Sequence, residues 1–189
     1  HMKRYQLEDF RTPAELRQFI LKVFEAAELK KIKGRIVNFN PKLADSNRYI
    51  LRLGRGSFGG KGRGMAFLSN FLENTDLKKL IPNLKIQIPK TAIIGVDEFD
   101  HFIENNDLSK IIYSNKSYQE IKTHFLASRL TLSLREKLRA YLEVMHKPLA
   151  VRSSGLFEDS LSQPFAGVYS TYLIPNNHPD IERRIDDLE

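Results

Sequence analysis

A chain of 189 residues with 41% hydrophobic and 10% aromatic side chains is long enough to bury a core, on the scale of one domain or one and a half. It contains no cysteine, which excludes disulfide scaffolds, thiolate metal sites and cysteine nucleophiles; no stretch is apolar enough to span a bilayer and no signal peptide opens the chain, so a cytoplasmic address is expected. The net charge of +7 suits an anionic partner, but nucleic acid, an acidic membrane face and a nucleotide meet that demand equally well.

His1 and Met2 read as the remnant of a cleaved affinity tag and are set aside. Thr12-Pro13-Ala14-Glu15 has the form of a capping box with proline at the first helical position. Leu16, Phe19, Ile20, Val23, Phe24 and Ala27 then recur on one face, predicting an amphipathic helix. The basic runs Lys30, Lys31, Lys33, Arg35 and Lys78, Lys79 are expected to be solvated helix ends rather than a nucleic-acid footprint. Asn38 to Asn47, with Pro41 inside, reads as loop, and Arg48 to Leu53 as a short strand. Helical spacing of Met65, Ala66, Leu68, Phe71 and Leu72 follows. Thr91 to Val96 is a second strand, after which Asp97 is placed to cap a helix carrying Phe99, Phe102 and Ile103. Ser117 with Glu120 and Ser133 with Glu136 predict two further capping boxes, on helices running to about Arg129 and about Met145. Leu149 to Arg152 is read as a buried strand, Ser153 to about Gly167 as polar loop and Tyr169 to Ile174 as another strand. From His178-Pro179-Asp180 a helix starts that stops abruptly at Glu189, as if cut within an element.

Six of the ten glycines fall between Gly54 and Gly64, at the predicted strand-to-helix junction. Glycines there let backbone amides converge and let a phosphate approach without a side-chain clash. Counting back from Gly60-Lys61 puts Arg55 where a Walker A loop needs glycine, and Gly62 replaces the metal-binding hydroxyl, so a P-loop is disfavoured twice. Gly54, Gly56 and Gly59 satisfy Gly-x-Gly-x-x-Gly. The Val-Ala-Ile-Lys, His-Arg-Asp and Asp-Phe-Gly companions of a kinase are absent, however, and so is the acidic strand end of a dinucleotide fold. What is left is a phosphate cradle with Arg55, Lys61 and Arg63 around it, against the plain alternative of a surface turn.

Arg152 closes a strand and is followed by Ser153 and Ser154. A planar guanidinium beside hydroxyls suits phosphate oxygens, while a salt bridge to Glu158 or Asp159 would explain the same residues. Pro148-Leu-Ala-Val-Arg-Ser-Ser-Gly-Leu-Phe-Glu-Asp-Ser160, continuing to Phe165-Ala-Gly-Val-Tyr-Ser-Thr-Tyr-Leu173, resembles the nucleotide-binding domain of the phosphoenolpyruvate synthase and pyruvate phosphate dikinase family. Gly59-Gly-Lys61, Ile88-Pro89 and Phe99-Asp-His-Phe102 resemble its opening in the same order, and the likeness covers roughly residues 50 to 189.

That resemblance implies an α/β (α+β) fold: the first subdomain of an ATP-grasp-like nucleotide-binding domain, a small mixed sheet with flanking helices, preceded by a helical extension. Residues 3–47 would be that extension and a linker, and 48–189 a partial ATP-binding domain truncated at its C-terminal end. ATP would be the cofactor, with Lys61 and Arg152 as the catalytic phosphate contacts. Gly59, Gly60, Ser153 and Ser154 would join them, with the Phe165-Ala166-Gly167 turn closing over the phosphates. Pro164 stands where the family usually has serine, which loses or shifts one hydroxyl contact, with Ser162 as a substitute. Mg²⁺ and its ligands, the rest of the ATP-grasp and a phosphohistidine domain would lie outside this chain. His101, His124, His146 and His178 lack a phosphocarrier context and are assigned to surface or packing roles, and Glu158 with Asp159 is too little for a metal site. The intact protein would pass phosphate from ATP to an enzyme histidine and on to pyruvate, although similar front ends serve enzymes acting on glucans or antibiotics. The alternative is a non-catalytic regulatory module that binds nucleotide or a partner. No membrane or nucleic-acid partner is expected, and the isolated chain should be inactive.

Overall fold

In the computed structural model, which describes residues 5–31, 34–44, 49–77, 81, 83–84, 86–155 and 169–189, helix α1 (Pro13–Lys31) begins where Thr12 predicts. The Thr12 hydroxyl accepts from the Glu15 amide at 3.2 Å. The Glu15 carboxylate reaches back to the Arg11 amide, one residue short of a reciprocal box. The chain divides into two compact units, His1–Lys33 and Gly34–Glu189. Within the first, Phe19 of α1 meets Tyr5 and Phe10, with ring centroids 4.6 and 5.0 Å away. Ile20, Val23 and Phe24 of the predicted apolar face are exposed.

The second unit is built on three parallel strands, β1 (Ile36–Asn38), β2 (Ile50–Arg52) and β3 (Thr91–Ile93), with β2 in the centre. Leu51 pairs with Val37 on one side and Ala92 on the other. Parallel strands covered on both faces read as continuous apolar runs, and Tyr49, Ile50, Leu51 and Leu53 are all buried. β1 went unread in the sequence because three residues give alternation nothing to act on; a turn at Pro41–Leu43, capped by Asn40, follows it. A parallel pair needs a crossover. Helix α2 (Gly59–Asn74) lies between β2 and β3.

Next come α3 (Val96–Asn105), α4 (Leu108–Ile112), α5 (Tyr118–Ala127) and α6 (Leu132–Val144). Ser117 and Glu120 form the predicted capping box on α5, and the Ser117 hydroxyl and amide, both donating to the Glu120 carboxylate, hold it below its usual range. Two other caps differ from expectation. The residue before α3 is Gly95, with Asp97 inside the first turn. α6 is capped by Thr131 instead of Ser133, because the Thr131 hydroxyl accepts from the Leu134 amide while donating to the Glu98 carboxylate at 3.0 Å. The tertiary contact with Glu98 thus accompanies a cap two residues earlier than the expected one.

β4 (Leu149–Arg152) pairs antiparallel with β5 (Thr171–Ile174) in a separate two-stranded ribbon. The strand was expected to be buried. Only Leu149 is half-buried, and Ala150, Val151 and Arg152 are exposed. A two-stranded ribbon is marginal alone, so its attachments matter. α7 (Ile181–Leu188), capped by Asp180, packs along α6. Leu142, Met145 and Ile185 join Ala44, Leu51 and Tyr141 in one core, and Leu53, Leu134 and Leu138 extend it. A fully buried aliphatic side chain such as Leu142 or Ile185 stabilises by roughly 1.5–3 kcal/mol.

At the C-terminal end of α6 the Arg184 guanidinium is only 6% exposed. Its Nη2 donates to the Leu142 and Met145 carbonyls, both at 2.5 Å, and its Nε to Asn176 Oδ1 at 2.8 Å. The Asn176 amide donates in turn to the Met145 and Lys147 carbonyls at 2.7 and 2.9 Å. Along the outer seam Arg135 is bound by Asp186 at 2.7 Å and also by Glu189, and Arg139 is bound by Glu182.

Replacing Arg184 with leucine removes this donor from the Leu142 carbonyl and the Asn176 amide oxygen and leaves the Met145 carbonyl with Asn176 alone, and should cost about 3 kcal/mol, read as a lower urea midpoint at unchanged slope. The hydrogen bond from Arg135 holds the Asp186 carboxyl below its ordinary value. A carboxyl depressed in the folded state contributes stability above its unfolded value, about 4, and loses it as pH falls through the folded one. Asp186→Asn should therefore lower stability on the neutral plateau, flatten the acid limb of the stability–pH curve and leave stability at strongly acid pH nearly unchanged.

Candidate functional site

The predicted loop ends sooner than its glycines suggest. Helix α2 begins at Gly59, so Gly59, Gly60, Lys61 and Gly62 form its first turn rather than the approach to it. Each glycine disfavours helix by about 1 kcal/mol relative to alanine, so contacts elsewhere must require them. The residue preceding the helix, Phe58, gives no side-chain cap. The cap comes from far away in sequence. Ser154 Oγ donates to the Phe58 carbonyl at 2.9 Å and accepts from the Gly62 amide at 2.9 Å. These are the i and i+4 groups that an α-helix ordinarily joins directly, and the hydroxyl bridges them.

Close approach explains the glycines on this side. A Cβ on Gly59 would lie 1.3 Å from the Ser154 carbonyl oxygen, and its φ of +53° is left-handed. A Cβ on Gly62 would meet Phe58 Cβ at 3.0 Å and Ile93 at 3.3 Å. Gly54 and Gly56 serve a different neighbour, the start of α3. Cβ atoms there would fall 2.4 Å from Glu98 and 2.1 Å from Asp97. The Val96 amide also bonds the Ser57 carbonyl at 3.0 Å. Half-buried Lys137 ties this loop to α6, donating to the Leu53 carbonyl at 2.8 Å with Glu98 at 3.9 Å. Arg52 braces it from inside, donating to the Gly54 carbonyl at 2.9 Å with its guanidinium over the Phe58 ring.

Of the residues singled out in the sequence, the structure brings Gly59, Gly62 and Ser154 into contact and sets Lys61, half-buried, in the same helical turn. Gly60 is exposed in that turn, and Ser153 and Ser154 are half-buried. Arg152 is exposed at the end of β4, opposite Thr171. Arg55 and Arg63 are exposed, and Arg63 reaches Ser57 Oγ at 3.4 Å. Phe165, Ala166 and Gly167 lie outside the described residues, as do Glu158, Asp159, Ser162 and Pro164. Among the described residues no group of three or more histidines and carboxylates gathers that could hold a metal ion. The donors described here therefore do not fit a magnesium site. Glu98, Thr131 and Lys137, which hold the loop from behind, were missed: nothing in their spacing relates them to glycines tens of residues away.

The helix end is thus made of glycines, with lysine in its first turn and the Ser154 end of an Arg-Ser-Ser segment seated on it as its cap. The family model for the pyruvate phosphate dikinase AMP/ATP-binding domain matches residues 55–188, most of the chain. The chain belongs to this family. No curated protein and no solved structure matches it. The match starts just after β2, takes in the glycine helix and the β4–β5 ribbon, and runs into α7. Membership in an AMP/ATP-binding family supports nucleotide binding by this chain. No helix among the described residues is long and apolar enough to cross a membrane.

Two glycine replacements separate docking from helix propensity. Gly59→Ala should cost at least about 2 kcal/mol, through its left-handed backbone and the clash with Ser154. A Cβ on Gly64 meets nothing within 4 Å, so Gly64→Ala should stabilise by about 0.5–1 kcal/mol. Urea titration of both variants checks the pair, and equal midpoints would contradict the docking.

Proposed function

We propose that this chain supplies the phosphate-holding part of the ATP site in a phosphoenolpyruvate synthase-like phosphotransferase. Supporting this reading is one observation above the rest: two motifs some ninety residues apart meet where Ser154 bridges the first turn of α2. Lys61 sits in that turn and Arg152 two residues before the bridging serine. In this reading the amides of Gly59 and Gly60 and the helix dipole face the phosphates. Lys61 contributes a point charge, Arg152 a planar fork, and the Ser153–Ser154 segment further donors.

The role of these groups is electrostatic. Phosphoryl transfer asks a protein mainly to position reactants and to neutralise charge on the equatorial oxygens, which cations and backbone amides do without proton transfer. Lys61 and Arg152 would hold the transferring phosphate while an enzyme histidine outside this chain attacks it. That phosphohistidine would pass its phosphoryl group to pyruvate. The rest of the ATP-grasp, the carrier domain and the Mg²⁺ ligands would come from outside the segment described here, and Phe165, Ala166 and Gly167 would join the contacts to the nucleotide. A cytoplasmic location suits an ATP-consuming enzyme without cysteine.

Calorimetric titration of the full-length protein with ATP and magnesium tests the assignment. A charge-assisted hydrogen bond contributes about 1.5–3 kcal/mol, so Lys61→Ala and Arg152→Ala should each weaken ATP binding roughly ten- to a hundredfold. Wild-type binding and turnover in both variants would refute the clamp. Binding without turnover in the unaltered protein would point instead to a regulatory nucleotide-binding module.

A further inference from the structure

The Ser154 hydroxyl uses its single proton on the Phe58 carbonyl and takes the Gly62 amide proton in return. A serine hydroxyl has one donor and two acceptor sites, so its donor is committed within the protein. It has no proton to offer a phosphate oxygen. What it does instead is set a distance. Gly62 is the residue after Lys61, and Ser154 lies two residues beyond Arg152. The carbonyl of Ser154 presses on Gly59 so closely that no side chain fits there. Hydroxyl and carbonyl together fasten the end of β4 to the first turn of α2 by two independent contacts, one polar and one steric.

We infer that Ser154 is a positioning residue: its hydroxyl locks the Arg152 strand end onto the glycine helix, so that Arg152 and Lys61 address the same phosphate. This rests on the phosphate-clamp reading above. It departs from treating the two serines alike, because Ser154 acts through the helix and leaves direct phosphate contact to its neighbours. The exposure of β4 gives the pin its importance. A strand end whose last three residues are exposed has little apolar packing to hold Arg152 in place, and a mobile guanidinium would lose orientational advantage at the phosphate.

Ser154→Ala removes one oxygen and adds nothing to the crowded contact, so the variant should fold. Two readouts separate pinning from general stability. Hydrogen exchange at the Gly62 amide, followed by NMR on the chain, should speed up about tenfold in Ser154→Ala and stay as in wild type in Lys61→Ala. ATP affinity of the full-length protein should fall about tenfold in Ser154→Ala. Unchanged exchange at Gly62 overturns the pin outright. Wild-type ATP affinity in Ser154→Ala, with weakened binding in Lys61→Ala and Arg152→Ala, overturns the pin and leaves the clamp standing. If all three variants bind ATP as wild type does, clamp and positioning role fall together.

Discussion

The Arg184 guanidinium, buried against the end of α6, is the contact on which the placement of the site depends. Carbonyls at a helix C-terminus lack intrahelical partners and carry partial negative charge, so a cation that donates to two of them answers both the hydrogen-bond and the dipole requirement. The same guanidinium orients Asn176, whose amide bonds the Met145 and Lys147 carbonyls just before β4. Asn176 lies two residues beyond the end of β5, so this network pinches the base of the β4–β5 ribbon from both strands. At the other end of β4, Ser154 is fixed to the glycine helix. A ribbon with little burial of its own is thus held at its two ends by polar contacts, and Arg152 lies between them.

The glycine helix shows tertiary structure overriding local preference. Four glycines within its first six residues argue against helix. Two of them are required by their neighbours: the Ser154 carbonyl fills the space that a side chain at Gly59 would need, and Phe58 and Ile93 crowd Gly62. The neighbouring Gly54 and Gly56 make room for α3 in the same way. A glycine-rich run here answers packing demands from two directions. Such demands leave no mark on the spacing, which is why the pattern alone could not separate a P-loop, a kinase loop and a dinucleotide loop without their companions.

Much was legible from short-range chemistry. Thr12, Ser117 and Asp180 start helices as their side chains foretell, and β2, β3, β4 and β5 lie within the stretches their apolar residues marked. The Arg152-Ser153-Ser154 segment with Gly59-Gly60-Lys61 pointed to the nucleotide-binding family whose model matches the chain. Less legible was whatever depends on a distant partner. Ser133 with Glu136 fits the capping pattern, but the cap is Thr131, whose hydroxyl also meets Glu98 thirty-three residues away. The start of α2 could not be placed because its cap, Ser154, is ninety-two residues from the amide it accepts from. β4 looked buried because Leu-Ala-Val is apolar, but apolarity gives no count of the layers that cover a strand.

Charge is distributed unevenly around this frame. Where α6 meets α7, Arg135 and Arg139 are matched by Glu182, Asp186 and Glu189, and the hydrogen bond to Asp186, with the nearby Glu189 charge, draws the Arg135 guanidinium further toward its charged form. Around the glycine helix Arg55, Arg63 and Arg152 are exposed to solvent, and the positive end of the helix dipole adds to them. Like charges held near one another repel, and screening by salt weakens but does not remove the effect over a few ångströms. An anion binding there relieves that repulsion only in the folded state, since the unfolded chain disperses the same cations. Binding and folding are then coupled, and a nucleotide that engages this face must raise the stability of the ribbon and helix that present it.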